Sequence, residues 1–261
     1  MDAVLPEREV VHAPVPVVIA VAPLPVPAPA PLTPPAGPRL AIVLDDMALD
    51  RAAFARANRL PPEISFALLP YAHGLQDQAD AARARGRELL VHVPMEPQGN
   101  ADPGPDALLV GLPRGELDRR LDAALASFSG HVGINNHMGS RFTADPAAMQ
   151  WLMGRLRERA GELFLDSRTT ADSRGYEAAL AAGVPALQRQ VFLDPDGTGA
   201  AAGDYLAKAV KIALAEGQAI AIGHPHDLTL SVLERFVAAS DRPVRLVRLS
   251  DLLPARLSAE R

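Results

Sequence analysis

The chain has 261 residues, a formal net charge of −5 and a sequence pI of about 5.8. Its arginines are scattered among acids, which argues against a nucleic-acid footprint, and the absence of cysteine excludes disulfides and thiolate metal sites. No stretch reads as a transmembrane helix: residues 15–26 are apolar but short, and broken by Pro16, Pro23 and Pro25.

Residues 1–39 stand apart. Eleven of the 25 prolines precede Leu40, in alternations such as Pro23-Leu24-Pro25-Val26-Pro27, so the segment is predicted to be a disordered, polyproline II-like linker. Asp2, Glu7 and Glu9 occupy the place of a secretory signal's positive region, and no clear signal peptide is read. A tract of this kind suits the spacer behind an upstream membrane anchor. Residues 40–261 are long enough for one α/β domain.

From Leu40 onward short apolar runs alternate with amphipathic segments. The first run, 40–44, is rich in branched residues and stops at Asp45-Asp46, as a parallel strand buried on both faces does. A helix is predicted over 50–59, a strand over 64–69, a helix over 74–85 stopped by Gly86, and a strand over 88–93. Residues 98–113 form a long proline- and glycine-containing connection, of the length that marks a lid or binding loop. A helix follows over 116–128 and a strand over 132–135. Asp145-Pro146, an N-cap acid before proline, starts a helix that ends near Gly161. Strands over 162–165, 191–193, 218–222 and 244–249 alternate with helices over 174–182, 204–216 and 228–239. Eight strands in such alternation predict a parallel sheet, closed or slightly open as a β/α barrel. No glycine-rich phosphate fingerprint follows the first strand, which disfavours the dinucleotide-binding alternative.

The polar residues collect at one kind of place. Asp45, Asp46, His92, Glu96, Asn136, His137, Asp166, Asp194, His224 and His226 all fall at or just past the C-terminal end of a strand, where barrel active sites are built. Singly, each has a plain structural explanation: a turn, a helix cap, a hydrogen-bonded loop histidine. Together, imidazoles and carboxylates without thiolate are the ligand set of a catalytic zinc site or its nickel, cobalt or iron counterpart. Of two adjacent aspartates, one can hold a cation while the other takes a proton from water. His12, His73 and His131 lie in the tail or at helix ends and read as solvated.

Five segments in order carry a more specific signal: Val43-Leu44-Asp45-Asp46, His92-Val93-Pro94-Met95-Glu96-Pro97, Gly133-Ile134-Asn135-Asn136-His137-Met138-Gly139-Ser140, Phe164-Leu165-Asp166-Ser167-Arg168-Thr169 and Gly223-His224-Pro225-His226. The series resembles the divergent polysaccharide deacetylases, a distant branch of the NodB-type carbohydrate esterases, from about Leu40 to Leu253. The resemblance implies a distorted, incomplete β/α barrel of about seven to eight parallel strands. It also implies a divalent metal, zinc by preference, in a hydrolase that removes acetyl groups from N-acetylated sugars of a periplasmic or cell-envelope polysaccharide. By the same resemblance Asp45 is the general base, Asp46 a metal ligand, and His224 the general acid, with Asp166 as an orienting carboxylate. The ordinary pattern has two ligand histidines four residues apart. Here His92 is followed at that spacing by Glu96, so His137 becomes the third ligand and Glu96 the reserve. Glu96, Asn136, Arg168 and His226 are candidate substrate contacts, and Arg168 could equally be a structural partner of Asp166. The chain departs from the branch in reading Asp46-Met47-Ala48 where a glycine is usual, and the arginine-proline-tyrosine motif of ordinary deacetylases has no counterpart. A catalytically silent, metal-containing carbohydrate-binding protein is the alternative reading, and a barrel hydrolase of another amide or ester a third.

Overall fold

A computed structural model describes residues 37–159 and 161–254. The predicted linker therefore lies outside the described residues except at its end, where Arg39 already opens the first strand, and His12 lies outside them too. The strands are β1 (Arg39–Met47), β2 (Ser65–Leu68), β3 (Leu89–Met95), β4 (Gly133–Met138), β5 (Leu163–Asp166), β6 (Ala186–Gln188), β7 (Val191–Phe192), β8 (Gln218–Gly223) and β9 (Arg245–Leu246). Between them run α1 (Arg51–Ala57), α2 (Leu75–Arg83), α3 (Arg114–Leu125), α4 (Pro146–Arg157), α5 (Gly175–Ala182), α6 (Ala202–Glu216) and α7 (Asp227–Ala238).

All strand pairings are parallel, in the order β6-β5-β4-β3-β2-β1-β8-β7, and β9 joins β1 at Arg39 and Leu40. The result is an α/β fold whose curled sheet makes an incompletely closed barrel. Its two edges are consecutive in sequence. The Arg189 N–H donates to the Asp166 carbonyl on one edge, and the Gln190 N–H to the Ile220 carbonyl on the other. No ladder joins β6 to β7 among the described residues. β6 escaped the sequence reading because three residues after Val184-Pro185 are too short to show a period. The strand predicted over 244–249 shrinks to β9, and a 3₁₀ turn, Ser250–Leu252, follows the predicted span.

Period-two alternation divides the core into two layers. Val43, Leu90, Leu163, Leu165, Ile220 and Ile222 point into the barrel, where Leu249, Leu252 and Leu253 cluster with them. Leu44, Phe66, Val91, Ile134, Phe164 and Ala221 face the helices.

The long connection is strapped to the sheet. Met95 bridges to Leu108, the Val110 N–H donates to Glu96 Oε2, and Arg120 Nη1 donates to the Ala107 carbonyl. His131, predicted to be solvated, is half-buried against Phe128, with Nδ1 3.3 Å from Glu162 Oε2; His73 is exposed.

Candidate metal and acid–base site

A break in alternation builds the site. On β1, Leu44 and Met47 both belong to the outer layer, although three positions separate them, and they pair with Phe66 and Leu68, which are two apart. One extra residue is therefore bulged out of β1. Asp46 takes φ +54° and Ala48 φ +82° to accommodate it. The bulge turns both Asp45 and Asp46 into a cavity of about 340 Å³ at the C-terminal mouth, where regular pleating would send one of them to the helices.

Register brings the histidines alongside. His92 on β3 pairs with Asn135 on β4, and Pro94 pairs with His137, so His92, Asn135 and His137 all face the same cavity wall. His137 Nδ1 lies 2.9 Å from Asp46 Oδ1 and 3.1 Å from His92 Nε2, and His92 Nε2 lies 3.3 Å from Asp46 Oδ1. Three ligand atoms in a triangle of that size suit one ion, because donors ~2.0–2.1 Å from a tetrahedral zinc are ~3.3 Å from each other. Asp46 Oδ1 is sealed from solvent and receives no well-directed hydrogen bond, an orphaned oxygen that a cation would satisfy.

The tautomer of His92 fits this role. Asn135 Nδ2 donates to Asp45 Oδ1 (2.9 Å) and Ser167 Oγ (3.1 Å), which leaves Asn135 Oδ1 to accept from His92 Nδ1 at 2.8 Å. The proton of neutral His92 thus sits on Nδ1, and the Nε2 lone pair faces His137 and Asp46. Asn135 is fully buried, and the sequence reading passed over it. Its position two residues before His137 on the same strand face was the available signal.

Electrostatics separates the two aspartates. Burial pushes Asp45 above the ordinary carboxylate range, outweighing the pull of His92 and His224. Burial also opposes the charge on Asp46, but His137 and His92 outweigh it and hold that carboxyl far down. His92 is raised: desolvation alone would lower it, and the Asp45 and Asp46 charges reverse the sign.

His224 stands on the other side of Asp46, Nε2 to Oδ2 at 3.7 Å. Its Nδ1 is 3.0 Å from Asp194 Oδ1, and its backbone N–H and Thr229 Oγ1 both donate to Asp194 Oδ2. Burial works against the imidazolium, but this carboxylate and the Asp45 and Asp46 charges push His224 up to about 9. The carboxylate that orients His224 is therefore Asp194; the expectation of Asp166 in that position is corrected. Along β5, Leu163 and Leu165 face inward and Phe164 outward, so Asp166 points to the helix layer. There it accepts from the N–H groups of Arg168 and Tyr176 and from Ser173 Oγ. A Cβ on Gly175 would sit 2.8 Å from Asp166 Oδ2, so glycine lets the start of α5 close on this carboxylate.

The candidate substrate contacts scatter. Asn136 accepts from the Ser167 N–H and donates to the Met138 carbonyl, so its amide is engaged within the protein although it borders the cavity. Glu96 accepts from Val110 N–H and pairs with Arg141 Nη1. Arg168 is exposed with φ +46°, and Asp166 receives its backbone N–H. His226 sits before α7 with its ring 5.7 Å from that of His224. Asp194, His224 and His226 form a second group close enough to share a cation, as Asp46, His92 and His137 do. In the second group, however, Asp194 and His224 already satisfy each other through charge-assisted hydrogen bonds. Arg189, which the sequence reading also passed over, lines the cavity from the seam between the sheet edges.

An open β/α barrel with a candidate aspartate–histidine cation site at the C-terminal mouth of its strands is thus the class defined here. The sequence model of the family described as divergent polysaccharide deacetylase matches residues 42–253, and the chain belongs to that family. An uncharacterized protein of Haemophilus influenzae Rd is 35% identical over 214 residues, covering 82% of this chain and 76% of its own. The uncharacterized protein YibQ of Escherichia coli K12 is 35% identical over 215 residues, covering 82% and 67%. The crystal structure of an uncharacterized protein from Agrobacterium tumefaciens C58 matches with a TM-score of 0.80 and 32% identity, over 85% of this chain and 92% of that one.

Proposed function

We propose that the protein is a metal-dependent hydrolase that removes acetyl groups from N-acetylated sugars of a cell-envelope polysaccharide. One observation carries this reading: a convergent oxygen and two ring nitrogens, 2.9–3.3 Å apart, flanked by one buried carboxylate and one carboxylate-bound imidazole. Asp46, His92 and His137 would hold the cation, and a nitrogen- and oxygen-donor set without thiolate suits zinc. Such a cation lowers the pKa of water and draws charge from an acyl oxygen.

The remaining steps belong to the chain. Asp45, oriented by Asn135 and made more basic by burial, accepts a proton from the water that attacks the acetyl carbon. His224, held by Asp194, gives a proton to the sugar nitrogen as the carbon–nitrogen bond breaks, yielding acetate and the free amine. Asp194 holds the His224 ring and stabilises its charge.

The test is acetate release from an acetylated chito-oligosaccharide by purified protein supplied with zinc or cobalt. Turnover by wild type and its loss in Asp45→Asn is the expected result. No turnover by wild type on any acetylated sugar, with metal bound, would favour a carbohydrate-binding role instead.

A further inference from the structure

Among the described residues Arg189 is a charge without a counter-charge. Nε donates to the Ser167 carbonyl and Nη2 to the Arg168 carbonyl, each at 2.6 Å, and the guanidinium carbon lies 5.1 Å from the centre of the Phe192 ring. These partners are neutral. Among the described residues no carboxylate forms an ion pair with it, and Asp45 and Asp166 act on it only through space. Other arginines pair with acids, Arg56 with Asp227 and Glu234 and Arg155 with Asp122, while buried Arg87 is held by backbone carbonyls as Arg189 is. Arg189 differs from Arg87 in lining the cavity of Asp45, Asp46 and His224. Burial disfavours the Arg189 charge, and an arginine sunk in a pocket wall ordinarily finds an anion.

The fold commits local structure to holding this group. Arg168 takes a left-handed φ of +46°, unusual for a side-chain-bearing residue, and its carbonyl is one of the two that hold Arg189. Nη1 makes no protein hydrogen bond among the described residues, and Arg189 lines the same cavity as Asp45, Asp46 and His224. A fixed planar donor with one unused nitrogen, beside the acyl-hydrolysis groups, is a receptor for an anionic oxygen.

We propose that Arg189 makes the site selective for acylated amino sugars carrying a carboxylate near the scissile acetamide. The inference rests on the deacetylase reading for its substrate class. The ligand carboxylate accepts a hydrogen bond from Nη1 and supplies the missing counter-charge.

The test is calorimetric binding to the purified full-length protein of an N-acetylated disaccharide bearing a lactyl ether carboxylate, its methyl ester, and acetate alone. Wild type should bind the acid at least ~10-fold more tightly than the ester. Arg189→Gln should bring the ratio to about one, while Arg189→Lys, which keeps the charge, should retain part of it. Equal affinity for acid and ester in wild type, or a preference that survives in folded Arg189→Gln, would overturn the proposal. So would acetate alone binding as tightly as the acid, since that would assign Arg189 to the product. If Arg189→Gln fails to fold, an Arg189→Lys ratio equal to wild type overturns it and a reduced ratio supports it. A preference for the acid without acetate release would sink the deacetylase reading while leaving the anion site standing.

Discussion

His92 Nδ1 lies 2.8 Å from Asn135 Oδ1, and the opposite end of the same amide donates to Asp45 Oδ1. One buried side chain thus sets the tautomer of a metal-ligand candidate and the orientation of the proposed base. Truncating it should disturb both. Asn135→Ala is expected to weaken zinc binding by ~10–100-fold, the usual effect of removing a ligand's hydrogen-bond partner. Competition against a chromophoric chelator measures this, and an unchanged affinity would contradict the role assigned to Asn135.

The pairing of His224 with Asp194 has a pH signature. In metal-free protein His224 should titrate near 9, above the ordinary histidine value of 6.5. Its folded-state pKa is raised, so the stability from this pair is fully present below about 6.5 and is lost as pH rises through about 9. Replacing Asp194 with Asn should move the His224 titration down, read by NMR, and reduce kcat/KM by ~10²-fold or more. A His224 titration that ignores the substitution would refute the coupling.

Asp166 should behave differently. Its carboxylate serves three donors on the helix side of the sheet, so Asp166→Ala is expected to destabilise the fold by ~2–4 kcal/mol with zinc affinity unchanged. Urea unfolding and zinc titration on the same variant separate the two effects. Loss of zinc without loss of stability would place Asp166 in the site after all.

Ala48 holds φ +82° just past the β1 bulge, a conformation that penalises any residue with a Cβ. The family resemblance implies a glycine close to this point, and a positive φ is the conformation that glycine tolerates best. Even after the loss of a small buried methyl, Ala48→Gly should raise stability by ~0.5–1 kcal/mol, seen as a Tm increase of a few degrees. A lower Tm would show that the methyl's packing outweighs the backbone strain.

Much of the barrel was legible because β1, β3, β4, β5 and β8 carry polar residues at or just past their C-terminal ends, and because caps such as Asp145-Pro146 and Gly183 mark helix limits. β6 was not, since three residues carry no period. The site was legible by position but not by side-chain direction. Phe192 borders the cavity and Asp194, two residues on, shares its side of the chain, whereas Asp166 follows Phe164 outward; applying this parity would have chosen Asp194 for His224. Asp46 defeats the same rule, because the bulge that turns it inward depends on two left-handed residues that no sequence period reveals. Arg189 gave no motif at all, since its importance comes from lying where the two edges of the sheet meet.

The most direct test is the zinc content of purified, zinc-reconstituted protein, measured by elemental analysis for wild type, Asp46→Asn, His92→Ala and His137→Ala. One equivalent of zinc in wild type and far less than one in each variant is the expected result, with circular dichroism showing that the variants remain folded. A wild type that retains no zinc, or folded variants that keep a full equivalent, would contradict the assignment of Asp46, His92 and His137 as the shared ligands.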